Sequence, residues 1–135
     1  FTHEDGEPWP TLGEMIDAGT RVVVTAESGG PPPAWYHHVW DQAWDTGYSW
    51  NSVDEMTCEP NRGDPDADLF LVNHWVSSLL GTPDQAAAET ANAFDVLHTR
   101  LQQCWAESGQ IPNFVAVDFY EDGDLFEVVA AINGL

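Results

Sequence analysis

Three short runs constrain this chain more than any other feature: Arg21-Val-Val-Val-Thr-Ala26, Leu69-Phe-Leu-Val-Asn-His-Trp75 and Asn113-Phe-Val-Ala-Val-Asp-Phe-Tyr120. Each is rich in β-branched or aromatic residues and lacks the polar–apolar alternation of a half-exposed strand. A run of this kind reads as a strand buried on both faces, as in a parallel sheet flanked by helices. The segments between them supply the helices. Thr11-Leu-Gly-Glu14 forms a capping box, Leu12, Met15 and Ile16 follow at helical spacing, and Gly19 supplies the stop. Thr82 and Pro83 open the longest helix, which carries Ala87, Ala91, Phe94, Leu97, Leu101 and Cys104 on one stripe and ends at Gly109. Asp124-x-x-Glu127 begins a last helix with Leu125, Val128, Val129 and Ile132. Strands that alternate with helices predict an α/β fold with a parallel sheet.

Three strands make a poor free-standing sheet, because two long edges stay open; the pattern reads as part of something larger. Between the first two runs, Gly29-Gly30-Pro31-Pro32-Pro33 breaks regular structure. Tyr36, Trp40, Trp44 and Tyr48 then lie four apart, a spacing that predicts a helical turn or two. This Trp-rich stretch reads as core, with a lipid or sugar pocket as the alternative. Cys58 to Asp68 is a loop rich in Pro, Asn, Gly and Asp.

Composition narrows the function. The chain has 135 residues, enough for one domain, with 23 acidic residues against three basic ones and a formal net charge of -20. Phosphate neutralisation on nucleic acid needs a clustered basic surface, and docking to anionic lipid needs a polybasic patch; neither is present. No apolar run approaches the roughly 18 residues of a membrane span. Seven Trp, six Phe and three Tyr argue against disorder. The first residue is Phe1, so the text reads as a processed or excised piece. Cys58 and Cys104 fit no zinc pattern. They are either two buried thiols or one disulfide of an oxidising compartment, and the latter is favoured. A loop of that length gives roughly 4 kcal/mol in the chain-entropy treatment.

All three runs turn polar at their carboxyl ends, at Thr25 and Glu27, at Asn73 and His74, and at Asp118 and Tyr120. Ligands of parallel α/β folds bind at that end. Asp118 interrupts an apolar run, and a buried carboxylate calls for a histidine or arginine partner, the arrangement that orients a general base. Arg62 precedes the second run and is a candidate phosphate contact, the alternative being that it holds acidic neighbours. His37 and His38 read as packing or surface. Asp64-x-Asp66-x-Asp68 opens like a calcium loop but lacks the glycine and the glutamate at the twelfth position, where Trp75 stands.

Several stretches, in order, carry a family likeness: Trp9-Pro-Thr-Leu-Gly-Glu-Met-Ile, Arg21-Val-Val-Val, Trp35-Tyr36 through Trp44-Asp-Thr, Cys58 with Asn61-Arg62-Gly63, Leu69 to Trp75, Cys104, Pro112 to Tyr120, and Asn133-Gly134. Together they resemble the later half of the catalytic domain of phosphatidylinositol-specific phospholipase C-like phosphodiesterases, notably secreted members with an X-type domain. The resemblance implies a distorted (β/α)8 TIM barrel of about 250 residues, with residues 1–135 as its C-terminal half, supplying about three parallel strands and their helices. It also implies acid–base cleavage of a phosphodiester. One histidine deprotonates the inositol 2-hydroxyl, a second protonates the leaving group, and an arginine stabilises the phosphoryl oxygens.

Those groups lie in the family's first half, and His3 does not match them. The chain is therefore expected to need a missing N-terminal half, to act on a phosphodiester or phospholipid, to use no cofactor, and to be secreted. Asp118 would orient the general base, and Asn73, His74 and Tyr120 would line the mouth. Cys58 and Cys104 match a cysteine pair of the secreted members. An anionic phospholipid fits an acidic surface poorly, so either the absent half is more basic or the substrate is not a membrane lipid. The alternative function is a standalone acidic binding module that retains half the fold.

Overall fold

The structure, a computed structural model, describes residues 1–4, 6–28 and 33–135. Gly29 to Pro32 of the breaker run therefore lie outside the described residues. The first helix, α1 (Leu12–Asp17), carries the capping box as read: the Thr11 hydroxyl accepts from the Glu14 amide, and the Glu14 side chain accepts from the Thr11 amide. The strand that follows, β1 (Val24–Ala26), is shorter than its apolar run and is not buried on both faces; Val22 is exposed. It pairs in parallel with β2 (Tyr36–His38) in a small sheet of its own.

The aromatic stretch departs most from its predicted form. Its four-residue spacing yields one turn, α2 (Val39–Gln42), and then a strand, β3 (Ala43–Thr46), whose four residues are all buried. The physical reason lies in its partners. In register with β5 (Leu69–His74), Trp44 meets Phe70 and their rings stack at 3.8 Å. That burial outweighs a weak local preference for helix. A 3-10 turn at Val53–Glu55 leads to β4 (Pro60–Arg62), antiparallel to β3.

The long helix is two helices, α3 (Gln85–Ala91) and α4 (Phe94–Ser108). Asp84, not Thr82, caps the first, accepting from the Ala87 amide. The break falls at Asn92, whose Nδ2 donates to the carbonyls of Asp118 and Asp122, both at 3.0 Å. β6 (Phe114–Val117) then pairs in parallel with β5, and α5 (Leu125–Ile132) closes the chain. The larger sheet runs β4-β3-β5-β6, so the architecture is α/β with mixed strand directions. Neither sheet closes on itself among the described residues, and no described helix is long and apolar enough to cross a membrane.

One face of the larger sheet makes the core. Trp44, Phe70 and Val72 pack with Leu97, Leu101 and Val128 from the helices. The Cys58–Cys104 disulfide sits in the same cluster and ties the approach to β4 to α4. Strand alternation turns Leu71, Phe114 and Ala116 to the opposite face. That face is open at β6, where Phe114 is 51% exposed. The third run is thus covered on one face only, contrary to its continuous apolar text. Phe119, Tyr120 and Phe126, beyond the strand, are exposed as well.

Candidate functional site

β3, β5 and β6 run the same way, so their carboxyl ends come together and bring polar residues with them. Asp45, near the end of β3, is fully buried. It survives there because its oxygens accept five hydrogen bonds. Oδ1 takes the Arg62 amide at 2.8 Å and the Asn61 Nδ2 at 3.2 Å. Oδ2 takes Arg62 Nε at 3.0 Å, Arg62 Nη2, and Asn73 Nδ2 at 2.9 Å. Asn73 also donates to the Thr46 carbonyl at 2.7 Å, and its amide donates to the Thr46 hydroxyl at 3.1 Å. One carboxylate therefore locks β4, β3 and β5 at a single point.

Arg62 completes this rim. Its guanidinium lies over the rings of Trp40 and Tyr48, 4.2 and 4.6 Å from their centroids. Nη1 donates to Glu27 at 2.6 Å, a pair exposed enough to contribute at most about 1 kcal/mol. Hydrogen bonding to Asp45 raises the guanidinium pKa still further above neutral pH. The next residue, Gly63, has φ +78°, and a Cβ there would fall 2.0 Å from the Ala43 carbonyl oxygen. Only glycine lets β4 pass this close to β3. Of the two readings of Arg62, its observed contacts are those of a holder of acidic neighbours.

The other expected site residues are placed unequally. Asn73 is in the network. His74, expected at the mouth, points instead into the core: it is fully buried, and its Nε2 lies 2.8 Å from the Ala91 carbonyl oxygen. Alternation puts neighbouring residues on opposite faces, so Asn73 and His74 could not both face the opening. Burial, with the Arg100 charge adding to it, pushes the imidazole pKa down to about 4, against the opposing bond to Ala91. The unfolded chain therefore binds a proton between pH 6.5 and 4 that the folded chain refuses. On this account stability falls as pH drops through that window, by on the order of 3 kcal/mol. His74→Gln should flatten this segment of a denaturation-versus-pH profile relative to the parent; parallel profiles would exclude His74 as the source.

Asp118 follows the last residue of β6 and is half-buried. Its carbonyl accepts from Asn92, but its carboxylate has no hydrogen-bond partner among the described residues. The expected histidine or arginine is not beside it. Phe119, between Asp118 and Tyr120, has φ +52°, a conformation that costs a bulky residue about 1 kcal/mol or more. Tyr120 is exposed, with its ring edge toward Phe126. Of the acidic triplet, Asp64 accepts from the Asp66 amide and closes a turn; no group of three metal-ligating side chains occurs among the described residues. A cavity of about 180 Å³ lined by His3, Asp41, Asp66 and Asp68 lies at the amino ends of β3 and β5, opposite the polar cluster.

Strand ends that converge on a buried carboxylate network can be compared with known families. The family model described as PI-PLC X 1 matches residues 4–133. The chain belongs to the PI-PLC X family. It is 28% identical over 139 residues to PI-PLC X domain-containing protein 1 of Arthroderma benhamiae, covering 94% of this chain and 45% of that protein. It is 25% identical over 138 residues to PI-PLC X domain-containing protein At5g67130 of Arabidopsis thaliana, covering 96% of this chain and 32% of that one. This PI-PLC X chain thus spans less than half the length of either relative. No solved structure matches it significantly.

Asp45, the centre of the PI-PLC X chain's polar network, escaped the sequence reading, as did Trp40 and Tyr48 as ring partners of Arg62. The signal was present in Trp44-Asp-Thr, a carboxylate inside an aromatic, apolar stretch, the same argument that singled out Asp118. It was masked by the helical spacing of the aromatics around it.

Proposed function

We propose that this chain is the C-terminal part of a secreted phosphodiesterase that cleaves a phosphoinositide or related phosphodiester by acid–base catalysis. A segment outside this chain completes the barrel and carries the histidines. The observation that carries the reading is the unpartnered carboxylate of Asp118 beside an uncovered sheet face, in a chain that matches the PI-PLC X family almost throughout. A completing segment laid against β6 would cover Phe114 and bring a histidine to Asp118, which would orient it as general base. Asn73 and Tyr120 would line the mouth. Arg62, engaged by two carboxylates, would stabilise the rim and leave the phosphoryl charge to an arginine of the completing segment.

The test is cleavage of phosphatidylinositol, and of a soluble glycerophosphodiester, by the full-length natural protein and by residues 1–135 alone. The full-length protein should turn over at least one of them, and the chain alone should fall below it by about a thousandfold or more. A folded full-length protein that cleaves neither, or a chain that is active by itself, would overturn the proposal.

A further inference from the structure

Arg100, on α4, is one of three cations in a chain whose formal net charge is -20. It is only 7% exposed, yet among the described residues it forms no ion pair with any carboxylate. Its Nη2 donates to two main-chain carbonyls, Thr57 at 3.0 Å and Asn73 at 3.2 Å, and its Nε–H is buried with no hydrogen-bond partner. Burial lowers its pKa to about 10, with Glu107 opposing, so the guanidinium stays charged at neutral pH. A buried charge calls for a counter-ion, because the hydration it loses is otherwise unrepaid. A neutral donor would answer two carbonyls equally well. In a chain with 23 acidic residues, it is the unmatched charge that needs an explanation.

The place of the charge shows what it acts on. Asn73 is the fifth of the six residues of β5, and its side chain donates to Asp45. The guanidinium therefore lies one residue from the polar network at the carboxyl ends of the strands. Its field reaches β5, since it helps to keep neighbouring His74 neutral. Of the other cations, Arg62 is taken by Asp45 and Glu27, and Arg21 is exposed ahead of β1. Without Arg100, the network and Asp118 would set three carboxylates against Arg62 alone. An anion arriving at these strand ends meets a repulsion that Arg100 offsets, and salt screens an interior charge far less than a surface one.

We propose that Arg100 sets the affinity of these strand ends for anions: its uncompensated charge, acting across the Asn73 main chain and not by contact, favours a phosphodiester over a neutral ligand. The proposal rests on the phosphodiesterase reading and adds a determinant of specificity to it. At roughly 10 Å and an effective dielectric of about 20, one charge changes an anion's affinity by about tenfold. In the full-length protein, neutral Arg100→Gln and Arg100→Met should raise KM for a soluble glycerophosphodiester about tenfold and leave kcat within about twofold. Arg100→Lys, which keeps the charge but not the fork, should keep the parent's KM. Urea midpoints report the folding of each variant.

A purely structural Arg100 gives another pattern. All three variants would then lose stability in step, with kcat falling as the folded fraction falls and KM unmoved; that pattern would overturn the proposal. So would a lysine variant whose KM rises as far as that of the neutral ones. Where neither neutral variant folds, the lysine variant decides: the parent's KM supports the proposal, and a raised KM overturns it. A folded parent with no turnover would sink the phosphodiesterase reading and this proposal together, a result told apart from the others because no KM exists to compare.

Discussion

Under the proposed phosphodiesterase reading, Asp118→Asn in the full-length protein should lower turnover by about a thousandfold or more while leaving the folded chain intact. The two halves of this expectation come from different observations. Folding should be spared because the Asp118 carboxylate is half-buried and makes no hydrogen bond among the described residues; an isosteric amide at such a position moves stability by about 0.5 kcal/mol or less. Turnover should collapse because an amide offers the histidine the wrong hydrogen-bonding partner, as when the orienting aspartate of a catalytic triad is changed, where the loss reaches about ten-thousandfold. Asp118 is a positioning residue in this account, so rate alone is an insufficient readout. Without the carboxylate to favour imidazolium, the acid limb of the pH–rate profile should move to lower pH. An unchanged profile with unchanged turnover would remove Asp118 from the mechanism.

Asp45→Ala should destabilise the chain by about 3 kcal/mol, because several donors lose a buried charged acceptor at once, although the Arg62 charge left behind is part-exposed and keeps Glu27. The carboxylate is fully buried and accepts from Asn61, Arg62 and Asn73. Its loss would leave those donors unanswered and the Arg62 charge over Trp40 and Tyr48 without its main counter-ion. Against a usual total of about 5–15 kcal/mol, that is enough to unfold a marginal domain. Asp45→Asn keeps an acceptor and the shape, and so should retain a measurable transition at reduced denaturant midpoint. Urea unfolding of both variants checks this. A loss below about 1 kcal/mol for alanine would mean that the network contributes little to holding the three strands.

The sequence disclosed what local chemistry alone decides. The α1 capping box, β5 and β6 and the last helix stand close to where the text placed them; the pairing of Cys58 with Cys104, 46 residues apart, was legible only because the chain has two cysteines and carries the family likeness. It misled where a distant partner decides. Ala43–Thr46 carries a helical spacing of aromatics, yet becomes a strand because β5 and β4 flank it. Asn92 interrupts an apolar helical stripe because carbonyls some thirty residues ahead claim its side chain. His74 looked like a mouth residue because strand ends are polar, but the two-residue alternation that sent Asn73 to the site sent His74 to the core. The open face of β6 was not readable either: Phe114, Val115 and Ala116 give an apolar text whether both faces are covered or one awaits a neighbour.

Gly63 has a consequence for how such a protein can vary over time. Its α-carbon passes so close to Ala43 that any side chain would collide with the main chain of β3, and the collision would displace Arg62 and, through it, Asp45. The rim strand is therefore closed to gradual drift: no stepwise series of larger residues leads away from this position. A side chain at this single position would thus reach the buried carboxylate through its neighbour, without touching it directly.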